Sequence, residues 1–421
     1  MKTNYNRFVN FCLVSIGIFL ICISLNSFRF KGLNFLTIRS YLFTYIPLII
    51  GILSIYSVTL KNLYKINFFN FLIGIVLVLI LTEIRLSIYS QEPFINLKNI
   101  SLESVYDHIR ADSGIKKYLF TTGETIKQKY NTSFYQLSGK SFSEILLCNE
   151  AGELVSYFSD RYGFNNPDIV WDNKKPSIVL LGDSFVHGHC QSNGNAIADL
   201  IRAKNPDLNV INLALSGNGP LSNLGVLSEY INDDILIKKI YYFHLEGNDL
   251  SRDLPSELSR KELLNYLDDR NQDLISKQKE INKNIINYTN YVRSLNLISK
   301  NNFFDFLNFT KLKKLLSHKF GFNNYAKENF EKVIVKLNNY CVKRKCKLTF
   351  ISIPTYNSFI DKKYNLDERN YLKKLLNDNN IEFINLYRLF SNNKNPLENY
   401  FFMGSHLSDK GAKNTVSYIE D

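Results

Sequence analysis

Three apolar runs without a charged residue lie in the first fifth of the chain, at residues 9–28, 40–60 and 66–82. No other feature constrains the fold as much. Each run is close to the roughly 17–25 residues that a helix needs to cross a bilayer, so residues 1–90 are expected to form a three-helix transmembrane anchor. A cleaved signal peptide accounts only for the first run, and no small-residue cleavage site is seen before Arg29. Three spans put the rest of the chain across the membrane from the N-terminus. Lys2, Arg7, Lys61 and Lys65 fall on one side, and Arg29, Lys31 and Arg39 on the other, with Arg85 just past the third run. That balance barely orients the anchor by the positive-inside rule.

The net charge of +12 invites a nucleic-acid reading, but its distribution argues against one. Residues 1–90 hold 8 of the 51 Lys/Arg and 1 of the 39 Asp/Glu, which leaves +5 on the remainder. There lysines alternate with acids and asparagines, as on a solvated face. No basic stripe is interleaved with aromatics in the manner of a single-strand binder. The expected partner is the bilayer, with no nucleic acid.

Residues 91–175 read as a polar connector carrying a short hairpin. In "EILLCNEAGELVSYFSD" two strands flank the turn Asn149-Glu150-Ala151-Gly152. From residue 176 to 421 apolar strand-like runs at 177–181, 209–213, 239–245, 347–353 and 381–386 alternate with helical segments. This order predicts a three-layer α/β/α domain around a parallel five-stranded sheet. One connection is long, a helical insertion at about residues 254–320. Leu263, Leu267, Leu274, Ile281, Ile285, Tyr288 and Val292 fall on one helical stripe there, and Pro255 suits a first turn. Further on, Phe303, Phe304, Phe306 and Phe309 adjoin Lys311, Lys313 and Lys314. They make either a cap on the domain or an interfacial helix touching lipid.

In parallel α/β sheets ligands bind beyond the carboxyl ends of the strands. The first strand ends in Gly182-Asp183-Ser184. Ser184 is then either a nucleophile or a helix N-cap, since Ser and Asp both favour caps. The next two strands run into "NLALSGNGP" and "LEGNDL", and "GSHLSDKGA" places His406 before the last helix-like segment. Glycine N–H groups and asparagine amides can donate to an oxyanion, and a histidine can carry the serine proton. His187, His189 and His244 lie near these motifs and read as packing or surface residues.

The blocks "GDS", "NLALSG", "GND" and "HLSDKG", in that order, resemble the SGNH, or GDSL, hydrolase family over roughly residues 177–421. The resemblance implies an SGNH/flavodoxin-like sheet, Ser184 as nucleophile and His406 as base. It also implies an oxyanion hole made by the Ser184 N–H, Gly217 and Asn248, and no cofactor. The chain departs from the pattern at Met403, where the family has an aspartate three residues before the histidine. Glu246 is the first candidate to orient His406 and Asp409 the second. A Ser-His dyad, or an inactive glycan-binding or scaffold module, are the other outcomes. Asp183 and Asp249 are expected to bond turn backbone. "SDRYGFNNPD" resembles a lead-in of membrane-anchored members. That likeness implies a multi-pass cell-membrane protein with an extracytoplasmic C-terminal domain. It would hydrolyse or transfer an ester of an envelope glycan or glycolipid, with a membrane acyl-donor partner if transfer is the reaction.

Cys12 and Cys22 lie in the first apolar run and read as packing residues. The other four cysteines suit disulfides in an oxidising compartment. A Cys148–Cys190 bridge would clamp the edge of the site, and Cys341 would pair locally with Cys346; free buried thiols are the alternative. His187, His189 and Cys190 suggest a metal set, but zinc takes three or four convergent ligands. Alternate residues on one segment rarely converge, so no metal is expected.

Overall fold

The computed structural model describes residues 2–31, 44–89, 105, 109, 117–150, 154–294, 324–401 and 406–419. These fall into two compact units, the helices before residue 94 and the remainder. Phe303 to Lys314 and Met403 lie outside the described residues.

The first unit holds helices α1 (Lys2–Lys31), α2 (Ile46–Ser57) and α3 (Asn62–Tyr89). Apolar stretches of 18 residues in α1 and 24 residues in α3, with mean hydropathy 1.6 and 2.1, are long enough to cross a membrane. Helix α2 has 12 residues. At 1.5 Å per residue it reaches about 18 Å, short of a roughly 30 Å hydrocarbon core. Two helices of spanning length, not three, are therefore found among the described residues. Pro47 sits in the first turn of α2, and a turn at Val58 to Leu60 ends the helix. Polarity is inverted relative to a water-soluble bundle. Ser54, Ser57, Lys65 and Glu83 are buried, while Phe11, Phe19, Phe71 and Leu81 point outward. Small residues let α1 and α2 approach closely: a Cβ on Gly17 would lie 2.8 Å from the Gly51 carbonyl oxygen.

The second unit begins with a small sheet of β1 (Lys117–Leu119), β2 (Glu144–Cys148) and β3 (Val155–Phe158). Strand β1 pairs parallel to β2, and β3 pairs antiparallel to it. The hairpin was legible in the sequence; β1, three residues long, was not. The main elements then follow in chain order: β4 (Ser177–Leu181), α4 (Ser184–His187), α5 (Ile197–Lys204), β5 (Asn209–Asn212), α6 (Pro220–Tyr230), β6 (Ile237–Leu245), α7 (Gln278–Ser294), α8 (Asn324–Arg344), β7 (Lys347–Ile353), α9 (Leu366–Asp378), β8 (Glu382–Asn385) and α10 (Asp409–Ile419). The five strands from β4 onward form one parallel sheet in the order β5-β4-β6-β7-β8.

Alternation along the strands builds both outer layers. Val179, Leu181, Ile240, Tyr242, Leu348 and Phe350 face a core shared with α6 and α8. Ile178, Leu180, Tyr241, Phe243 and Ile351 face the opposite core, where α5 and α10 contribute Ile197, Ile201, Ala412 and Val416. Covered on both faces, β4 is buried along its whole length. All carboxyl ends meet at one edge of the sheet.

The insertion is broken, unlike the continuous stripe expected from residue 263. Short helical turns cover Leu254–Glu257, Lys261–Leu264 and Asn265–Asp268, and among the described residues of the insertion only α7 continues as a regular helix. Asp269 and Asp273 adopt left-handed backbone (φ 56° and 57°), which ends the helical path between them.

Candidate active site

Strand β4 delivers Ser184 to the start of α4. Asp183 caps that turn, its carboxylate accepting the Phe185 N–H at 2.9 Å. Gly182 is needed for close packing, since a Cβ there would stand 2.9 Å from Val186 Cγ2. His406 arrives on the segment before α10, where its carbonyl accepts the Phe401 N–H at 2.8 Å. The two side chains meet: His406 Nε2 lies 2.9 Å from Ser184 Oγ. The other ring nitrogen, Nδ1, lies 2.7 Å from Glu150 Oε2.

Glu150 was not among the expected orienters, and both expected acids are engaged elsewhere. Glu246 follows β6 and sends its carboxylate across to the β7 side of the sheet. There it accepts Ser352 Oγ–H at 2.8 Å and lies 3.0 Å from Arg369 Nε. Asp409 opens α10, one turn past His406, and faces the 192–195 loop. It accepts the Ser192 N–H at 3.1 Å and the Asn195 amide at 3.1 Å. A signal for Glu150 did exist. It lies two residues beyond Cys148, and Cys148 is disulfide-bonded to Cys190, six residues past Ser184. A second bridge joins Cys341 to Cys346.

The imidazole of His406 is walled by two rings. Phe185 lies 5.1 Å away and His189 4.2 Å away, centroid to centroid. His189 Nδ1 and His187 Nδ1 each lie 3.1 Å from Ser216 Oγ. Burial pushes His187 down to about 3, and pushes His189 well below the ordinary histidine range, with the His406 charge adding to both. Both rings therefore stay neutral beside His406, and both tether the turn that carries Gly217. Donor atoms of Glu150, His189 and His406 all lie within 4.8 Å of one another. Glu150 and His406 are bonded to each other, however, and His189 Nδ1 faces Ser216.

Gly217 lies in the turn after β5 with φ +86°, left-handed backbone that favours glycine. Beyond it, one buried carboxylate organises the loop. Glu257 accepts N–H bonds from Gly219 at 2.9 Å, Leu221 at 2.8 Å and Ser222 at 3.1 Å. Burial pushes its carboxyl up to about 7. Asn248 follows β6, and its amide donates to Asp253 Oδ2 at 2.7 Å. Asp253 and Glu257 lie four residues apart on the same segment of the insertion. Asp249 accepts the Leu245 N–H at 3.1 Å, and Glu368 accepts from Gly247 N at 3.0 Å while lying 2.8 Å from His244 Nε2. Burial raises Asp183 to about 6, with the Asp253 charge adding and those of His406 and Arg252 opposing.

The GDSL-like lipase/acylhydrolase model matches residues 178–419. The chain belongs to the GDSL lipase/acylhydrolase family. Similar solved structures include a lipase/acylhydrolase from Enterococcus faecalis, at 17% identity over 58% of this chain and 93% of that one, with TM-score 0.33. An acetyl xylan esterase, AlAXEase, is 14% identical over 58% and 98%, with TM-score 0.32. The esterase EstA from a Pseudoalteromonas species is 12% identical over 58% and 97%, with TM-score 0.28. No curated protein matches the chain. The four family blocks, with Ser184, Gly217, Asn248 and His406, fall inside the GDSL match, whereas Glu150 precedes it by 28 residues.

The lead-in before β4, which the sequence marked only by likeness, packs against this frame. Asp160 accepts the Tyr162 and Phe164 N–H groups, each at 2.9 Å. Asn166 donates to the Asn212 carbonyl at 3.0 Å, and Asn165 to the His187 carbonyl at 2.9 Å. These bonds fix the lead-in to edge strand β5 and to the end of α4.

Proposed function

We propose that this protein is a membrane-anchored serine esterase or O-acyltransferase that forms an acyl-enzyme on Ser184. The observation that carries the reading is the continuous contact from Ser184 Oγ through His406 to Glu150, at 2.9 Å and 2.7 Å. Glu150, as carboxylate, accepts the Nδ1–H and leaves Nε2 free to take the serine proton. Ser184 Oγ attacks the ester carbonyl as His406 removes its proton. The Ser184 N–H, Gly217 N–H and Asn248 amide donate to the oxyanion. His406 then returns the proton to the departing alkoxide. Water, or a sugar hydroxyl, attacks the acyl-enzyme in the second half-reaction with His406 again as base.

An inactive module was the alternative while Met403 stood where the family has aspartate. Glu150 at Nδ1 supplies the carboxylate that alternative assumed to be missing. Two helices of spanning length, with apolar side chains turned outward, support anchoring in a cell membrane. The two disulfides support an extracytoplasmic catalytic unit. The substrate follows from the family likeness: an ester on an envelope glycan or glycolipid, with a membrane acyl-donor partner if transfer is the reaction.

Labelling with a fluorophosphonate tests the reading. The full chain in detergent should be labelled once, at Ser184, and Ser184→Ala and His406→Ala should abolish labelling. Folded protein that resists the probe would reject an active serine.

A further inference from the structure

Glu150 reaches His406 from outside the common frame. It follows β2 of the small sheet and lies 256 residues from its partner in sequence. The ladder that delivers it is irregular, because the register between β2 and β3 shifts between Leu146 and Cys148. Backbone pairing therefore fixes the end of β2 poorly just where the carboxylate needs fixing. What holds it instead is sulfur. Cys148 and Cys190 are buried and bonded, with Cα atoms 5.5 Å apart. The Glu150 N–H itself donates to Cys190 Sγ at 3.1 Å. The same loop carries His189, whose ring backs His406 at 4.2 Å. One cystine thus joins the strand bearing the triad acid to the loop that walls the imidazole.

We propose that the Cys148–Cys190 bridge is a positioning device for Glu150, which makes turnover depend on its oxidation state. The proposal rests on the Ser184–His406–Glu150 reading above. A dithiol reductant opens the bridge by thiol–disulfide exchange. The cystine gains two electrons and two protons to become two thiols, and the dithiol is oxidised to a cyclic disulfide. Glu150 then loses its covalent tether two residues away, and its backbone bond to Sγ loses its fixed acceptor. His406 keeps its place beside Ser184 but loses the partner that holds the Nδ1 proton. The second bridge serves as a control. Cys346 immediately precedes β7, at the amino ends of the strands and therefore at the opposite edge of the sheet from Ser184.

The test uses full-length protein in detergent micelles, with p-nitrophenyl acetate as substrate, before and after dithiothreitol, thiols being mapped by mass spectrometry. Reduction of Cys148–Cys190 should lower kcat at least tenfold with KM within twofold, and reoxidation should restore it. Cys148→Ser/Cys190→Ser should show the same loss without reductant and decides the matter if the bridge resists reduction. Cys341→Ala/Cys346→Ala should keep both the activity and its sensitivity. Glu150→Gln should start low and lose nothing further on reduction, because the bridge acts through that carboxylate. An unchanged kcat in reduced protein, or an equal fold loss in Glu150→Gln, would overturn the proposal. Should the reduced or double-serine protein unfold by circular dichroism, the bridge is a fold staple and the proposal also fails. Failure of the underlying triad reading looks different: oxidised wild type would show no Ser184-dependent turnover.

Discussion

A single methyl group at Gly219 should disturb both side-chain supports of the oxyanion hole. Gly219 has φ −103° and ψ −169°, backbone that any residue adopts, so its requirement is steric. A Cβ there would stand 2.7 Å from Glu257 Oε2 and 2.9 Å from Asp253 Cβ. Ordinary contact starts at about 3.4 Å, so the carboxylate must retreat by about 0.7 Å. That is enough to stretch or break its bonds to the N–H groups of residues 219, 221 and 222, now 2.8 to 3.1 Å long. Asp253 Cβ is fixed to main chain and cannot swing away, so the segment moves and takes the Asn248 amide with it. Overpacking of this kind costs about 1–3 kcal/mol of stability, and losing one oxyanion donor costs about 10²–10³ in kcat. Gly219→Ala should therefore fold, melt at a somewhat lower temperature, and lose between tenfold and a thousandfold in kcat with little change in KM. Steady-state hydrolysis of a p-nitrophenyl ester beside a melting curve measures both. A folded variant with kcat within twofold of wild type would refute the assignment of this loop to the oxyanion hole.

Two other perturbations probe the triad and the buried acids. Glu150→Gln removes the charge facing His406 Nδ1 and should cut kcat by about 10²–10⁴, the upper figure being the loss when a triad acid becomes an amide; single-turnover acylation would measure it. Glu246 should tilt the stability profile. Burial, outweighing the Arg369 charge, pushes its carboxyl up to about 8. Between about pH 4.5 and 8 the unfolded chain has released this proton while the folded protein keeps it, so stability falls as pH rises, by at most about 1.4 kcal/mol per pH unit from this group. Glu257 and Asp183 tilt the profile the same way over a narrower range. Glu246→Gln should flatten the slope of denaturant stability above pH 5, and an unchanged slope would show that Glu246 is ionised in the folded state.

The parts of the site legible in the sequence are those carried by strand ends. A strand covered on both faces is a continuous apolar run, and residues 177–181 and 347–353 are such runs. Once the sheet is known to be parallel, the residues after each strand must gather at one edge. That rule pointed to Gly182-Asp183-Ser184 and to the Gly- and Asn-bearing turns after the next two strands, and the family resemblance singled out Gly217, Asn248 and His406. The acid did not follow, because nearness to a motif is a poor guide to direction. Glu246 sits two residues from Asn248, yet its side chain crosses toward Ser352 and Arg369. Asp409 is one turn from His406 and faces the 192–195 loop. Glu150 lay in a hairpin turn with nothing local to mark it. The expected Cys148–Cys190 bridge was the usable clue, since it brings the chain at 150 to the loop behind Ser184. For the second apolar run the described residues give a helix over Ile46–Ser57, followed by a turn at Val58 to Leu60 that hydropathy does not mark.

In the proposed reaction the supporting acids come from chain away from the strand ends that carry the family blocks. Glu150 precedes the segment that matches the GDSL family. Asp253 and Glu257 lie in the long connection between β6 and β7. In the proposed reaction the residues that touch the reacting atoms sit at strand ends and in the His406 block, while the groups that aim them come from elsewhere: Glu150, before the family match, at Nδ1 of His406, and Asp253 and Glu257, in the long connection inside it, at the Asn248 amide and the N–H groups after Gly217. A strand end fixes where a side chain starts but leaves the aim of a histidine ring or an asparagine amide loose, and a buried carboxylate is an economical way to fix it. Each of these acids is also partly or wholly shielded from water, so its interaction with the group it orients is stronger than at the surface. A segment cut at the family boundary would keep Ser184, His406, Gly217 and Asn248 and still lack the charge that sets the proton on the right nitrogen.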